Sequence, residues 1–299
     1  MGSLLYQALS STALLCLGLY HLILTTLNYL KSPHTYTSKP YHPFPSTHLP
    51  RLRPIQLYFI IFSLSIAIIH HLILATDSDP LVKGSTPVHR LTSLQSAALL
   101  FLFLILSISL LLPFSLPNDL SFSLLSLLFL LHSSLQTSLS SLQTSSLEAK
   151  CDSISSNLSA LSSFLCLLLV CFPRLFPADA ALAGSICLRG LWALQTGLSL
   201  YAEPFIPDGC HRLLDVVNGV EGSTQCDLDE SKFRALAILD LAFVLHVMFA
   251  MIIVLITYAL VAATVGGVRR VGSYEALPTA TSPTDSNHIQ MKALAGTQA

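Results

Sequence analysis

The sequence predicts an all-α fold, a polytopic membrane protein built as a bundle of about seven transmembrane helices. Of the 299 residues, 53% are hydrophobic and only 10% are charged, whereas about a quarter of a typical soluble domain is charged. Many apolar runs approach the ~20 residues that a helix needs to cross the hydrocarbon core. The formal net charge of -1 argues against a nucleic-acid partner. The lipid bilayer is therefore the partner that the composition indicates.

Seven apolar runs define the predicted helices in chain order. The first is long and has neither a basic start nor a small-residue cleavage site, so we expect a transmembrane anchor and no cleaved signal peptide. The fourth is the weakest because it is rich in serine, and the fifth is short at its start. The other runs are clear. The predicted spans are Leu4–Leu30, Ile55–Ala75, Leu91–Leu112, Leu120–Leu142, Ile154–Phe172, Ala180–Tyr201 and Leu236–Thr264.

The distribution of Lys and Arg predicts the orientation of these helices, because cytoplasmic loops carry an excess of basic residues. The loop from Ala202 to Ala235 has seven carboxylates against three basic residues, so we expect it outside or in a lumen. Arg269 and Arg270 follow the last run and favour a cytoplasmic C-terminus. The first loop has no acid and four basic residues, which also favour the cytoplasm: Lys31, Lys39, Arg51 and Arg53. Seven crossings with the N-terminus outside satisfy all three placements.

The chain divides by composition into a membrane domain and a tail. Residues 1–267 contain the seven runs and form the predicted transmembrane domain. Residues 268–299 are rich in Ser, Thr and Pro, which predicts a disordered cytoplasmic tail. The protein is expected in the endomembrane system or the plasma membrane.

Two cysteines in the predicted outer loop, Cys210 and Cys226, lie where a disulfide is chemically allowed. Spacing alone never fixes connectivity, so the bridged and the free state both stay open. No CxxC or CxxH pair suggests zinc. In the first loop His34, His42 and His48 alternate with prolines, but their spacings match no standard metal site. A basic loop beside anionic headgroups is the plainer interpretation, and no cofactor is expected.

Six ionisable residues fall within or beside the apolar runs, where such groups are costly and face the bundle interior. At about 1.5 Å per residue, three lie near the midplane and three nearer the outer surface. On the last helix Asp240 and His246 point about 120° apart. We therefore expect Asp240 to meet His70 or His71, and His246 to meet His132 or Arg189. The midplane residues are His132, Arg189 and His246, and the outer residues are His70, His71 and Asp240.

Three interpretations of these six residues remain open. In the first interpretation, these residues fix helix register through interhelical hydrogen bonds, which contribute about 0.6 kcal/mol each. Alternatively, they form a proton pathway or a ligand site. As a third interpretation, His132 and His246 hold a haem or a metal in an electron carrier, although the paired spacing typical of two stacked haems is absent.

The run from Arg189 to Leu198 contains Gly190, Trp192, Gln195 and Gly197 in the pattern Gly-x-Trp-x-x-Gln-x-Gly. This pattern resembles that of the transmembrane protein 45 family, and the likeness extends over most of the chain from residue 147 to 267. The segments LEAKCDSIS and PRLFPADAAL are similar to the plant branch.

The resemblance implies a multi-pass membrane protein with about seven helices and no settled activity. It marks Trp192, Gln195 and His246 as family positions without an assigned role. Animal members carry a Glu and a His-x-His in the fourth helix, where this chain has His132-Ser133-Ser134 and no nearby acid. That difference puts in doubt any shared site built on the His-x-His motif.

The sequence contains no GxSxG, P-loop, HExxH or GxGxxG motif after a strand, so we expect no enzyme. The predicted function is a non-enzymatic scaffold, receptor-like or trafficking component. The alternative is a transporter or channel that uses Asp240, His246, Arg189 and His132. A haem-binding or metal-binding electron carrier is the third hypothesis.

Overall fold

Seven long helices make up the fold in the computed structural model, which describes residues 2–44, 54–76, 87–112, 116–212 and 224–272. Two 3-10 turns and a two-stranded antiparallel hairpin complete the described elements. The predicted all-α fold is confirmed. The helices are α1 (Gly2–Lys31), α2 (Ile55–Thr76), α3 (Pro87–Leu111), α4 (Asn118–Leu142), α5 (Ser146–Cys171), α6 (Phe176–Tyr201) and α7 (Asp229–Gly272), the turns are Pro33–Thr35 and Glu203–Phe205, and the strands are β1 (Cys210–Arg212) and β2 (Thr224–Cys226).

Several helices extend beyond the apolar runs that predicted them. Helix α5 begins at Ser146, where the Ser145 side chain caps it by accepting a hydrogen bond from the Glu148 N–H. Helix α7 continues at both ends beyond the predicted span. An apolar run marks the part of a helix that suits hydrocarbon, and polar first turns continue the helix outside it. The sequence therefore predicted the spans better than the helix ends.

Six of the helices are long and apolar enough to cross a membrane, and α6 is the exception. Helix α6 has the most completely buried surface, including Ala183, Gly184, Cys187, Gly190 and Trp192. A helix that its neighbours cover has little surface in contact with lipid. Small and polar residues can therefore lower the mean hydropathy of α6 without being exposed to lipid. Helix α7, by contrast, exposes large apolar side chains that suit lipid contact, among them Leu241, Phe249, Met251, Leu255 and Leu260.

The first six helices form a closed ring in the order of the chain. Each helix packs against the next one, and α6 packs back along α1. Helix α7 joins this ring through side chains. Its Phe243 and Val247 pack on the cluster around Trp192, and its Val254 reaches Gly184. The ring thus brings one face of every helix from α1 to α6 toward a shared interior.

Serine and threonine hydroxyls join α4 to α5. Ser126 and Ser163 are 3.1 Å apart between their Oγ atoms. Further along the same interface, Ser156 contacts Ser133 at 3.1 Å and Thr137 at 2.7 Å. Polar side chains of this kind hold helices together in a membrane, where apolar contact gives no preference over lipid. The serine content that weakens the fourth predicted span is therefore part of its packing.

The described loop segments lie at the two ends of the ring. At one end, the Ser38 N–H donates to the carbonyl of Pro173, 2.8 Å away, in the turn between α5 and α6. At the other end, the Ser145 hydroxyl donates to the Thr224 carbonyl, and Thr224 donates to the Leu200 carbonyl at 2.9 Å. We call these the first-loop end and the hairpin end.

The chain separates into two compact units, residues 1–262 and 263–299. The first contains the ring, the hairpin and most of α7. Of the second, the structure describes the continuation of α7 to Gly272. The predicted disordered tail lies outside the described residues from residue 273 onward and stays a prediction. His48, Arg51 and Arg53 also lie outside the described residues, as do the side chains of Arg269 and Arg270.

Candidate functional site

Arg189, in the middle of α6, is the charged residue that points most clearly to a site inside the ring. One guanidinium nitrogen donates to the Ser159 hydroxyl on α5 at 3.1 Å, and another lies 3.3 Å from Nδ1 of His132 on α4. The same His132 nitrogen is 2.8 Å from the Ser159 hydroxyl. The Phe129 ring lies 5.5 Å from the guanidinium carbon. The structure thus brings together two of the predicted site residues, Arg189 and His132.

The hydrogen-bond partners of Arg189 are a serine hydroxyl and an imidazole nitrogen, and neither carries a negative charge. Among the described residues, the ion pairs involve other groups, and none of them places a carboxylate on Arg189. A guanidinium stays protonated in proteins and offers five N–H donors in a planar fork. One turn from His132, the buried amide oxygen of Gln136 has no hydrogen-bond partner in the described part of the chain. The interior therefore offers a fixed positive charge with unused hydrogen-bonding capacity beside it.

His70 and His71 lie on α2 nearer the hairpin end and meet α1. The His70 ring stacks on Tyr6 with 3.9 Å between ring centroids. The Tyr6 hydroxyl is 3.4 Å from Nε2 of His71. His71 interacts electrostatically with His132 and with His89 on α3. Polar side chains from all six ring helices therefore contribute to one region that extends from Arg189 toward the hairpin end.

The remaining two predicted residues lie elsewhere, and the partners expected for them were wrong. Asp240 pairs with Lys150 on α5 at 2.8 Å, and its side chain is 58% exposed. The expectation that it meets a histidine of α2 fails because the outward extension of α5 places a lysine beside it. His246 packs edge-on against Trp192, and its Nδ1 lies 2.6 Å from the Ala242 carbonyl of its own helix. His246 thus faces α6 at Trp192, while His132 faces Arg189.

The Gly-x-Trp-x-x-Gln-x-Gly pattern has a packing explanation in this structure. Gly190 and Gly197 lie two turns apart on the face of α6 that touches α1. A Cβ at Gly190 would lie 2.9 Å from Leu15 Cγ, and one at Gly197 would lie 2.7 Å from Gln7 Cβ. Trp192 is buried and donates to the Cys151 carbonyl at 3.3 Å, and Gln195 donates to Ser199 at 2.8 Å. The glycines let α1 and α6 approach closely.

A second polar cluster lies at the first-loop end, and sequence reasoning missed it. Asp179, in the first turn of α6, is fully buried. Its two carboxylate oxygens accept hydrogen bonds from His21 Nε2 at 2.8 Å and from the Tyr36 hydroxyl at 2.5 Å. The predicted sixth span begins at Ala180 and so excluded Asp179 by one residue. The acid beside a buried histidine of α1 is apparent only after α1 and α6 pack together.

His42 completes this second cluster from the loop after α1. Its ring centroid is 4.8 Å from that of His21, and its nitrogens contact Thr25 Oγ1 at 3.0 Å and the Asn28 amide at 3.2 Å. Its backbone N–H donates to Gln56. Burial, and then repulsion from His21, lowers the pKa of His42 to about 3, so this imidazole is neutral at pH 7. Burial and the neighbouring Asp179 carboxylate raise the pKa of Tyr36.

At the hairpin end, a disulfide joins Cys210 to Cys226. The two residues face each other in the β1–β2 register. The bridge closes the described ends of the acidic loop, and Thr224 anchors this hairpin to α6 and to the turn before α5.

A comparison with protein-family models gives a match. Over residues 118–259 the chain matches a family model described as a family of unknown function, DUF716. This family includes transmembrane protein 45-like proteins. The matched residues run from the first turn of α4 into α7 and include His132, Asp179, Arg189 and the glycine pattern. No curated protein matches the sequence.

Proposed function

We propose that this chain is a non-enzymatic, receptor-like integral membrane protein that binds a small ligand through an anionic group at Arg189. The observation that carries the proposal is the half-buried guanidinium with neutral hydrogen-bond partners and no carboxylate among the described residues. A scaffold or trafficking role requires no such site. The glycine pattern and the family match support a further part of this proposal, that the chain is a transmembrane protein 45-like protein. Its assignment to the plant branch depends on the segments LEAKCDSIS and PRLFPADAAL.

The energetic argument compares the cost of the charge with the gain from its partners. A charged residue at the centre of a membrane helix costs about 2.5–3.5 kcal/mol on insertion scales. Interhelical hydrogen bonds in membranes contribute about 0.6 kcal/mol each on average, so the contacts with Ser159 and His132 offset less than half of that cost. A carboxylate or phosphate would accept two parallel hydrogen bonds from the guanidinium. A ligand anion therefore explains why Arg189 is present.

The orientation belongs to the same proposal. The basic residues of the first loop favour the cytoplasm at the first-loop end. The acidic loop and its disulfide favour an oxidising compartment at the hairpin end. With seven crossings, the N-terminus lies outside and the C-terminus in the cytoplasm, in the endomembrane system or the plasma membrane. Arg189 would then be reached most directly from the outer half of the bilayer, past His71 and Tyr6.

Thermal unfolding of the detergent-purified chain tests the anion site. The probes are decanoate below its micelle concentration, decanol as the neutral match, and acetate as the anion without a chain. We expect decanoate to raise the midpoint of the wild-type protein and decanol to leave it unchanged. Arg189→Gln should abolish the decanoate shift, whereas His246→Gln, which alters a histidine next to Trp192, should retain it. An equal decanoate shift in wild type and Arg189→Gln, or no shift with either anion, would show the proposal to be wrong.

A transporter or channel is the second candidate, because polar side chains from all six ring helices converge on one interior region. Flux of radiolabelled acetate into liposomes containing the protein distinguishes it from a receptor. Binding without flux supports the receptor-like role, and flux that Arg189→Gln removes supports transport. The electron-carrier hypothesis has less support, since His132 and His246 engage separate partners. A Soret band lost in His132→Ala or His246→Ala would favour it.

A further inference from the structure

We propose that His21, His42 and Asp179 form a binding site for a divalent transition-metal ion of the zinc class at the first-loop end of the ring. The three side chains are buried, and each offers one ligand atom such that these atoms lie within 4.8 Å of one another. They come from α1, the following loop and the start of α6, so the site exists only in the folded chain. Nothing in this site depends on Arg189 or on its anion.

The ligand set suits zinc and the metals that resemble it. Two imidazoles and one carboxylate are the protein ligands of several catalytic zinc sites, where water fills the fourth position. Tetrahedral coordination at about 2.0–2.2 Å places ligand atoms about 3.3 Å apart. His21 Nε2 and Asp179 Oδ1 are 2.8 Å apart and would open slightly around an ion. His42 lies on a loop and can approach without moving a helix.

The neighbouring hydrogen bonds would orient Asp179 and His42 as metal ligands. The Tyr36 hydroxyl donates to Asp179 Oδ2 and leaves Oδ1 directed toward His21. The Asn28 amide lies 3.2 Å from Nδ1 of His42. With the amide oxygen turned toward this nitrogen, Nδ1 would donate, and the ion would replace the Thr25 hydroxyl, which lies 3.0 Å from Nε2, on the lone pair of Nε2. Metal-ligating histidines commonly depend on such a second hydrogen bond.

An ion pair between His21 and Asp179 is the competing explanation. Such a pair would need neither a second imidazole nor the Asn28 and Thr25 contacts that orient it. His42 is 2% exposed, and its ring faces the His21 ring with 4.8 Å between the ring centroids. A neutral imidazole with an available lone pair is the form that binds a metal. The second buried imidazole facing His21 and Asp179 is therefore better explained by a cation held among the three side chains.

Titration with Co²⁺ tests the site directly, because four-coordinate cobalt absorbs strongly in the visible range. The full chain is purified in detergent, stripped with a chelator and titrated with Co²⁺ and then with Zn²⁺. We expect one Co²⁺ per chain and displacement by Zn²⁺. Tyr36→Phe should weaken binding roughly 10–100-fold, as loss of an outer-shell partner does, and His42→Ala should weaken it more. His34→Ala, an exposed histidine of the same loop, should bind like wild type.

The variant His42→Cys distinguishes a loss of metal binding from a loss of folding. A thiolate at this position should keep the cobalt and add a sulfur-to-metal charge-transfer band in the near ultraviolet. The proposal is overturned if the wild-type chain binds no stoichiometric Co²⁺. It is also overturned if His42→Ala binds like His34→Ala, or if folded His42→Cys shows no charge-transfer band. The last two outcomes would leave His21 and Asp179 as an ion pair.

Discussion

At the scale of single residues, Asp179 of α6 and Asp240 of α7 show how position decides what a carboxylate contributes. Asp179 is fully buried with His21 and Tyr36 as donors, whereas Asp240 pairs with Lys150 where both side chains are substantially exposed. Exposed pairs contribute little because water and salt screen them. Breaking a buried pair leaves an uncompensated group behind.

Substitution of each aspartate by asparagine should separate these two cases. In metal-free protein, Asp179→Asn should reduce the free energy of unfolding by about 3 kcal/mol, seen as a clear fall in the thermal midpoint in detergent. Asp240→Asn should change the free energy of unfolding by less than about 1 kcal/mol. Equal midpoints for the two variants would mean that the Asp179 contacts contribute no more to stability than the exposed Asp240 pair does.

Trp192 is the residue that connects three helices. Its indole N–H reaches Cys151 on α5, and its ring lies edge-on to Phe243 and His246 on α7. Trp192→Ala should therefore cost about 3–5 kcal/mol through the cavity it creates. Trp192→Phe keeps most of the apolar contact and should cost about 1 kcal/mol, for the lost hydrogen bond. Thermal midpoints should decrease in the order wild type, Trp192→Phe, Trp192→Ala. A Trp192→Ala variant with the thermal midpoint of the wild type would contradict this role.

At the scale of elements, the contact between α1 and α6 depends on residues without side-chain bulk. A Cβ added at Gly18 would lie 2.6 Å from Cys187 Sγ and 2.9 Å from the Cys187 backbone nitrogen. At Gly190 it would meet Leu15 and the Ser11 backbone at 2.9–3.0 Å. Backbone atoms in a packed helix cannot move aside, so a methyl group at either position must separate the two helices.

Alanine substitutions test this close approach. Gly18→Ala and Gly190→Ala should each lower stability by about 1–3 kcal/mol, the usual cost of overpacking. Gly184→Ala is the matched control, because the added carbon would meet only a Val254 methyl group at 3.1 Å on α7. Thermal midpoints in detergent should fall clearly for the first two variants and much less for Gly184→Ala. A larger loss at Gly184 would place the critical contact at α7.

Sequence reasoning located the helices because hydrocarbon imposes a length and an apolar composition on every span. The span in α4 was the weakest prediction because its serines are polar, although these serines form hydrogen bonds with α5. Sequence reasoning could not find the Asp179 cluster because His42 reads as a loop residue and Asp179 as a flanking acid. The position of Asp240 along its helix predicts its depth in the membrane, but it does not predict which helix is the neighbour. The predicted pairing of Asp240 with α2 was wrong for this reason.

At the scale of the whole molecule, the proposed orientation places the two ends of the ring in different compartments. Thr37, in the first loop, and Glu203, after α6, are both exposed and lie at opposite ends of α6. Ser38 is unsuitable as a reporter because it is buried against Pro173. Cysteines at Thr37 and Glu203, one at a time, therefore report the sidedness of the bundle. The background should carry Cys16→Ala and Cys171→Ala, since both native thiols are exposed.

We expect an impermeant thiol reagent to label Glu203→Cys from the outer or lumenal side and Thr37→Cys only from the cytoplasm. In intact cells with the protein at the surface, only Glu203→Cys should react. For protein in internal membranes, selective permeabilisation of the plasma membrane should expose only Thr37→Cys. Labelling of both positions from one side would contradict seven crossings. With seven crossings, five spans (α2 to α6) separate the first loop from the loop after α6, so the two loops lie on opposite sides of the membrane. The reverse pattern would preserve the fold and invert the charge-based orientation, which would place the Cys210–Cys226 disulfide in the reducing cytoplasm.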